Sequence, residues 1–121
     1  MDYEISRRVI GCAINVHKVL GCGFLESVYE NALAVELRRN CIPFRRQVSL
    51  LVQYREEIVG KYRADIIVGN ELLLELKSIK SLDSACESQL LNYLNASNIK
   101  VGLLINFGAT SLQLKRMTIA H

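Results

Sequence analysis

The hydrophobic periodicity of this chain changes once, at its one proline, and this change constrains the fold more than any other feature. Before Pro43, apolar residues recur every three or four positions, which is typical of amphipathic helices. After Pro43 the period becomes two, which is typical of strands. We therefore expect a helical N-terminal part followed by a part that forms a sheet.

Two helices are predicted before the proline. The first covers residues 3–20 and ends at residues 21–23, Gly-Cys-Gly, where glycine suits the left-handed conformation of a helix cap. The second runs from about Leu25 to Asn40. Glu26 lies at the edge of its apolar arc and Glu36 near the middle. Glu36 therefore needs a partner, because an unpaired buried charge is very costly.

The remainder of the chain predicts five strands and a helix. The strands cover about residues 47–54, 58–68, 71–79, 101–105 and 112–119, and the helix covers residues 84–96. Residues 81–84 offer several N-cap candidates for that helix, and Ser84 with Glu87 has the form of a capping box. The first three strands should form an antiparallel meander. The third strand, the helix and the fourth strand make a β-α-β unit, which requires parallel strands and a right-handed crossover. The last strand should be an edge.

Length and composition place this pattern in one class of protein. We expect one α/β (α+β) domain over residues 1–121, because this length suits a single compact domain. Half of the residues are hydrophobic, which excludes a disordered composition. No apolar run reaches the ~18–20 residues of a membrane helix, and the N-terminus lacks the pattern of a signal peptide. We expect a soluble, cytoplasmic protein. The net charge of +3 permits a nucleic-acid partner without arguing for one.

The four cysteines fit a reducing compartment. Cys12, Cys22, Cys41 and Cys86 include no C-x-x-C pair, so neither a zinc site nor a redox dithiol is indicated. Buried free thiols are the expectation. A four-cysteine iron–sulfur site is the alternative, because such ligands need not be close in sequence.

The third strand carries a charged pair within an apolar run. Glu75 and Lys77 are two residues apart, so they point to the same face of the sheet. An exposed ion pair is the alternative to a site. Asp65, near the end of the preceding strand, shares that face only if the intervening loop has an odd number of residues or a bulge intervenes. We predict a three-residue loop over residues 69–71, or a bulge near Asp65.

Two carboxylates beside a lysine suit a hard divalent cation. Magnesium prefers oxygen ligands and is usually held by one or two carboxylates together with water. Gln89 and Tyr93 are four residues apart on the predicted crossover helix, so they are neighbours on one face. They either point into the same pocket or are a surface glutamine beside a core tyrosine.

These residues resemble a known family. Asp65, then Glu75-Leu76-Lys77, then Gln89 and Tyr93 look like the D…(D/E)-x-K…Q-x-x-x-Y pattern of PD-(D/E)XK nucleases. Residues 16–30, 63–65 and 104–108 further resemble the GxxExxR family of that superfamily. The resemblance implies a restriction-endonuclease-like αβββαβ core, with a mixed central sheet flanked by helices, an extra N-terminal helix and a C-terminal edge strand.

The resemblance also implies roles for individual residues. Asp65, Glu75 and the backbone carbonyl of Leu76 would bind Mg²⁺ (or Mn²⁺), and Glu26 would complete the metal site directly or through water. Lys77 would align the attacking water, and Gln89 and Tyr93 would orient Lys77 or the phosphate. The implied activity is metal-dependent hydrolysis of phosphodiester bonds in DNA or RNA. A catalytically silent nucleic-acid-binding module, or a subunit of a larger complex, is the alternative, and a homo-oligomer is compatible with either.

The chain departs from the family pattern at several positions. Tyr29 occupies the position of the family's arginine, Ala64 replaces the proline of the superfamily name, and Cys22 stands where a proline is expected. Glu30 and Glu36 are rivals to Glu26 as the helix carboxylate at the metal. His17 matches the family and is expected to be a satisfied core histidine rather than a general base.

The net charge is unevenly distributed. Between Arg38 and Arg63 the chain carries seven basic and two acidic residues, a net charge of +5, so the remainder is net negative. The three proposed carboxylate ligands lie in that remainder. A basic segment beside an acidic metal site suits a phosphodiester substrate.

Overall fold

Three helices flank a five-stranded mixed sheet in the computed structural model, which describes residues 3–120. The elements are α1 (Tyr3–Leu20), α2 (Glu26–Arg39), β1 (Phe44–Tyr54), β2 (Glu57–Val68), β3 (Leu72–Lys77), α3 (Ser84–Ser97), β4 (Val101–Asn106) and β5 (Gln113–Thr118). This order is the predicted one. Within the described residues, no helix is long and apolar enough to span a membrane.

The sheet has the predicted topology. Its strand order is β1-β2-β3-β4-β5, so β3 lies at the centre and β5 at an edge. Strands β1 to β3 form an antiparallel meander, and β4 pairs antiparallel with β5. Strands β3 and β4 are parallel, as the intervening helix α3 requires.

Apolar side chains cover both faces of the sheet. Helices α1 and α2 pack on one face, against a core that includes Leu72, Leu74 and Leu76. Helix α3 packs on the other face, against a core that includes Leu73 and Leu104. Because side chains alternate along a strand, Glu75 points to the α3 face together with Leu73. Glu75 is only 3% exposed, so the alternative of an exposed ion pair is wrong.

Strand β1 begins earlier than predicted because its alternation reverses within the strand. Phe44 packs on the α1–α2 core, whereas Val48 and Leu50 pack on the α3 core. The reversal occurs at Gln47, which has a φ of +50°. A positive φ within a strand interrupts the alternation of side chains between the two faces of the sheet. The period of two was therefore visible only in the part of β1 that follows Gln47.

Two local expectations are corrected. The N-cap of α3 is Asp83, whose carboxylate accepts the N–H of Cys86 at 3.0 Å, so the capping box that begins at Ser84 is wrong. All four cysteines are free, but only Cys12 and Cys86 are buried, and Cys22 and Cys41 are exposed. Among the described residues no cysteine cluster is placed to hold a metal, which contradicts the iron–sulfur alternative.

Candidate active site

Two carboxylates face each other where β2 and β3 separate. Strand β2 pairs with β3 through Ile66↔Leu74 and Val68↔Leu72, which leaves a three-residue loop over residues 69–71. The same register places Asp65 opposite Glu75. The predicted loop length is therefore confirmed, and so is the prediction that the two carboxylates lie together.

Side-chain hydrogen bonds replace the backbone pairing at this point. The N–H of Asp65 donates to Glu75 Oε1 at 3.2 Å, and the N–H of Leu76 donates to Asp65 Oδ2 at 2.8 Å. On its other side, β3 stays paired with β4 as far as Lys77. The two strands β2 and β3 thus form a fork, and the acidic pair lies at its base.

The buried environment makes the charged forms of both acids unfavourable. Burial first, and then the neighbouring Asp65 charge, raise the pKa of Glu75 to about 8. Burial is also the main cause that raises the pKa of Asp65 to about 6, and the hydrogen bond from Leu76 partly offsets it. Two carboxylates held this close favour either a shared proton or a bound cation.

A chain of polar side chains leads away from the acidic pair along α3. Lys77 Nζ donates to Gln89 Oε1 at 2.6 Å, and Gln89 Nε2 donates to the hydroxyl of Tyr93 at 3.0 Å. The charges of Glu75 and Asp65 contribute to the raised pKa of Tyr93, after burial as the main cause. The structure therefore brings Gln89 and Tyr93 together beside Lys77, which is the first of the two alternatives for this pair.

The helix carboxylates occupy three different environments. Glu26 is exposed at the start of α2, and its charge contributes to the raised pKa of both Asp65 and Glu75. Glu30 is 8% exposed and binds Arg46 Nε at 2.9 Å. Glu36 is half-buried and accepts a hydrogen bond from Asn15 at 3.4 Å, towards α1. Glu36 is thus excluded as a rival ligand.

The protein itself supplies few ligands to this position. Among the described residues, no three His, Cys, Asp or Glu side chains are grouped closely enough to hold a metal ion. Glu26 therefore lies too far from Asp65 and Glu75 to form a three-carboxylate metal site with them. A cation at the pair would have two carboxylates and otherwise backbone or water oxygens, which is the usual environment of Mg²⁺ in proteins.

Comparison with known proteins identifies the family. A family model of the PD-(D/E)XK nuclease superfamily matches residues 3–117. The chain belongs to the PD-(D/E)XK nuclease superfamily. The solved structure described as "Crystal structure of SSO0001" is similar, with a TM-score of 0.65 and 19% sequence identity over 78% of this chain. This chain spans about half (50%) of that protein, and the likeness shows the fold alone. A search of curated proteins finds no significant match.

In this superfamily member, an asparagine to which the sequence gave no predicted role holds the segment that follows Lys77. Asn106 is fully buried, its Oδ1 accepts the N–H groups of Ile79 and Gly108, and its Nδ2 donates to Ile79 O and Gln113 Oε1. The N–H of Phe107 donates to the carbonyl of Lys77 at 2.9 Å. A lone polar residue at the end of the apolar run of β4 is the signal that could have identified it.

A second missed connection joins β3 to the loop before Glu26. Ser78 Oγ donates to the carbonyl of Phe24 at 2.7 Å, and the N–H of Phe24 donates to the hydroxyl of Tyr29 at 3.2 Å. Tyr29 is fully buried, donates to Gly21 O at 2.5 Å and stacks on Phe107 with a centroid distance of 4.7 Å. Tyr29 therefore holds the loop in place and presents no group to a phosphate.

A third missed feature holds Glu30 near the site. Arg46 and Gln47 are consecutive, yet both reach Glu30, with Gln47 Nε2 at 2.6 Å from Glu30 Oε1. In a regular strand their side chains would point to opposite faces, and the positive φ of Gln47 removes that restriction. Arg46 Nη2 also donates to Asn31 Oδ1. Nothing in the sequence pattern marks Gln47 for this conformation.

His17 is a structural residue, as expected. Its Nε2 is 3.0 Å from the carbonyl oxygen of Ala109, and its ring lies 6.3 Å from that of Phe107. These contacts tie the end of α1 to the segment that follows β4. His17 is thus used in packing rather than at the acidic pair.

Proposed function

We propose that this protein hydrolyses phosphodiester bonds of DNA or RNA, with Mg²⁺ or Mn²⁺ held by Asp65, Glu75 and the backbone carbonyl of Leu76. The observation that carries the proposal is the pair of carboxylates, the buried Glu75 and the half-buried Asp65, that face each other at the base of the fork. Such a pair is costly to hold in an ionised state unless a cation compensates its charge. Membership of a nuclease superfamily supports the same conclusion. The assignment to the GxxExxR family stays a prediction.

The donor set fits a hard cation. Both side-chain donors are carboxylates, and the backbone of Leu76 faces Asp65, since its N–H donates to Oδ2 at 2.8 Å. A bound cation supplies charge to stabilise the developing negative charge on a phosphate and lowers the pKa of a bound water. The charges of Glu30 and Glu26 both contribute to the raised pKa of Asp65. We assign Glu26 to this site through water, because it is exposed, whereas Glu30 is bound to Arg46 and Gln47.

Lys77 is proposed to position the attacking water. It projects from the same strand and face as Glu75, and its Nζ is held by Gln89 at 2.6 Å. Because Gln89 is in turn bonded to Tyr93, the ammonium group has a defined orientation. A fixed cationic donor next to the reacting phosphate stabilises the charge that develops in the transition state.

Metal-dependent cleavage tests this function. Labelled single- and double-stranded DNA and RNA are incubated with Mg²⁺ or Mn²⁺ and, separately, with EDTA. We expect cleavage with metal only, and a loss of about 100-fold or more in Lys77→Ala, which is typical for removal of a proton-transferring or charge-stabilising group. The matched control is Lys80→Ala, since Lys80 is exposed and lies three residues further along the chain.

The outcomes separate the enzyme from its alternative. Equal cleavage by Lys77→Ala and wild-type protein would contradict the role of Lys77. Binding of nucleic acid with no metal-dependent cleavage would instead support a catalytically silent binding module with the same fold.

The contact between Ser78 and Phe24 leads to a separate prediction. Ser78→Ala removes the bond that ties the loop before Glu26 to β3, so we expect about tenfold weaker Mn²⁺ binding, in the usual range for groups that orient metal ligands. Isothermal titration measures this affinity. In a Glu26→Gln background the same substitution should have little further effect. Ser81→Ala is the control, because Ser81 Oγ bonds only the adjacent Leu82 O among the described residues. Additive losses would contradict the coupling.

A further inference from the structure

The β1–β2 hairpin extends past the point where β2 leaves β3. Strand β3 pairs with β2 only over Ile66–Val68, so within the described residues neither strand of the hairpin over residues 48–64 pairs with a third strand. We call residues 48–64 the hairpin arm. Because the arm diverges from β3 at Asp65, it forms one wall of the fork that has the acidic pair at its base.

The surface of the arm combines apolar and cationic side chains. Its exposed large apolar residues are Leu51, Tyr54, Ile58, Val59 and Tyr62. Its exposed basic residues are Arg55, Lys61 and Arg63, and acidic Glu56 and Glu57 occupy the turn region. Because side chains alternate along β2, Tyr62 lies on the face towards α3, opposite Leu50, whereas Lys61 and Arg63 lie on the other face. Exposed apolar groups concentrated on one element indicate a surface that binds a partner. A partner that lies along the unpaired edge of β2 therefore meets an aromatic side chain on one face of the strand and basic side chains on the other.

Tyr62 connects this surface to the site. Its ring centroid is 5.0 Å from that of Tyr93, with the ring planes tilted by 32°. Tyr93 ends the hydrogen-bonded chain that begins at Lys77. Tyr62 is 36% exposed, so part of its side chain remains accessible next to the residues that hold the lysine.

We propose that the hairpin arm binds single-stranded nucleic acid, with Tyr62 stacking on an unpaired base close to the scissile phosphate. This inference rests on the proposed function and names its substrate class. A single strand presents phosphates to the basic side chains and the faces of its bases to aromatic side chains. A duplex buries those base faces in its own stack, so it offers no comparable partner to the apolar side chains of the arm.

A second copy of the chain is a poorer match for the arm. In a two-fold dimer the same surface meets itself, and each arm carries three basic and two acidic side chains, so two net positive surfaces would approach each other. Like charges brought together across an interface are unfavourable. The basic residues Lys61 and Arg63 therefore favour an anionic ligand over self-association.

Fluorescence anisotropy with a labelled mixed-sequence 12-nucleotide single strand and its duplex, in EDTA, tests the proposal without cleavage. We expect tighter binding of the single strand, and about tenfold weaker single-strand binding in Tyr62→Ala with the duplex unchanged. Tyr62→Phe should retain wild-type affinity, because the ring is preserved. Tyr3→Ala is the control, since Tyr3 is exposed on α1. Melting curves establish that each variant is folded.

The outcomes distinguish this inference from the proposed function. Metal-dependent cleavage with equal affinity for both substrates and no effect of Tyr62→Ala overturns the arm proposal and leaves the nuclease standing. Selective single-strand binding through Tyr62 without any cleavage supports the arm and overturns the nuclease. A dimer that Tyr62→Ala converts into monomers, with unchanged affinity for nucleic acid, overturns the arm proposal in favour of self-association.

Discussion

Glu75→Gln is expected to stabilise the metal-free protein at pH 9 and to abolish its metal-dependent cleavage. Glu75 has a pKa of about 8 in the folded protein, against 4.5 as its ordinary value. The folded state binds the proton of the Glu75 carboxyl group more tightly than the unfolded state does. Protonation of Glu75 therefore stabilises the fold fully below about pH 4.5, and this stabilisation is lost as the pH rises through about 8. At pH 9 the ionised, buried carboxylate should cost on the order of 5 kcal/mol, at about 1.4 kcal/mol for each pH unit between 4.5 and 8, and a neutral glutamine avoids this cost.

Urea denaturation in EDTA at pH 6 and pH 9 measures this difference. The wild-type protein should lose stability between the two values, and Glu75→Gln should lose far less. Asp65 contributes at lower pH, because its pKa of about 6 places its own loss of stabilisation between about pH 4 and pH 6. Adding Mg²⁺ at pH 9 should stabilise wild type and have little effect on Glu75→Gln, because a ligand stabilises only the state that binds it.

Glu71→Gln is the matched control for charge removal. Glu71 is exposed in the loop between β2 and β3, so its replacement should change neither the pH dependence nor cleavage. An identical pH dependence of stability in wild type and Glu75→Gln would show that ionisation of Glu75 does not cause the loss of stability at high pH.

Gly108→Ala is expected to destabilise the fold by about 3 kcal/mol, the upper part of the range for added atoms in a packed site. A Cβ at this position would lie 2.3 Å from both the backbone N and O of Ile79. Backbone atoms have no alternative rotamer, so the chain after Lys77 must move. We therefore expect cleavage to fall as well, since this segment follows the strand that carries Glu75 and Lys77.

Gly11→Ala is the control for the same chemical change. An added Cβ at Gly11 meets nothing within 4 Å, and the residue lies inside α1. There the substitution should stabilise the protein by about 1 kcal/mol, because alanine is the better helix former. Urea denaturation at one pH compares the two variants. Equal stability of Gly108→Ala and wild type would contradict the close approach of the two segments.

The acidic pair could be predicted because it depends on local geometry. Strand alternation places Glu75 and Lys77 on one face, and the parity of a three-residue loop brings Asp65 to the same face. Both rules involve residues close in sequence, and so does the helical spacing of Gln89 and Tyr93. Their roles as metal ligands and positioning groups stay predictions that the experiments above address.

The groups that hold the site in place were missed because they act across long sequence separations. Ser78 reaches Phe24 over 54 residues, and Asn106 reaches Ile79 over 27 residues. The hydrogen bonds from Arg46 and Gln47 to Glu30 further require a left-handed backbone conformation at Gln47. No turn pattern predicts this conformation for a glutamine inside a strand. Such contacts follow from how the elements pack rather than from any spacing within one element.

Periodicity was thus sufficient to predict the element order and the central position of β3, whereas the shared face of Asp65 and Glu75 depended on a predicted three-residue loop, which the structure confirms. These properties follow from backbone geometry that repeats every two or three to four residues. The tertiary structure decided that β2 and β3 separate at the acidic pair, that Glu30 is bound to Arg46 while Glu26 stays exposed, and that Glu36 points towards α1. All three carboxylates lie on one helix, and only the contacts of that helix with β1 and α1 give Glu30 and Glu36 their different partners.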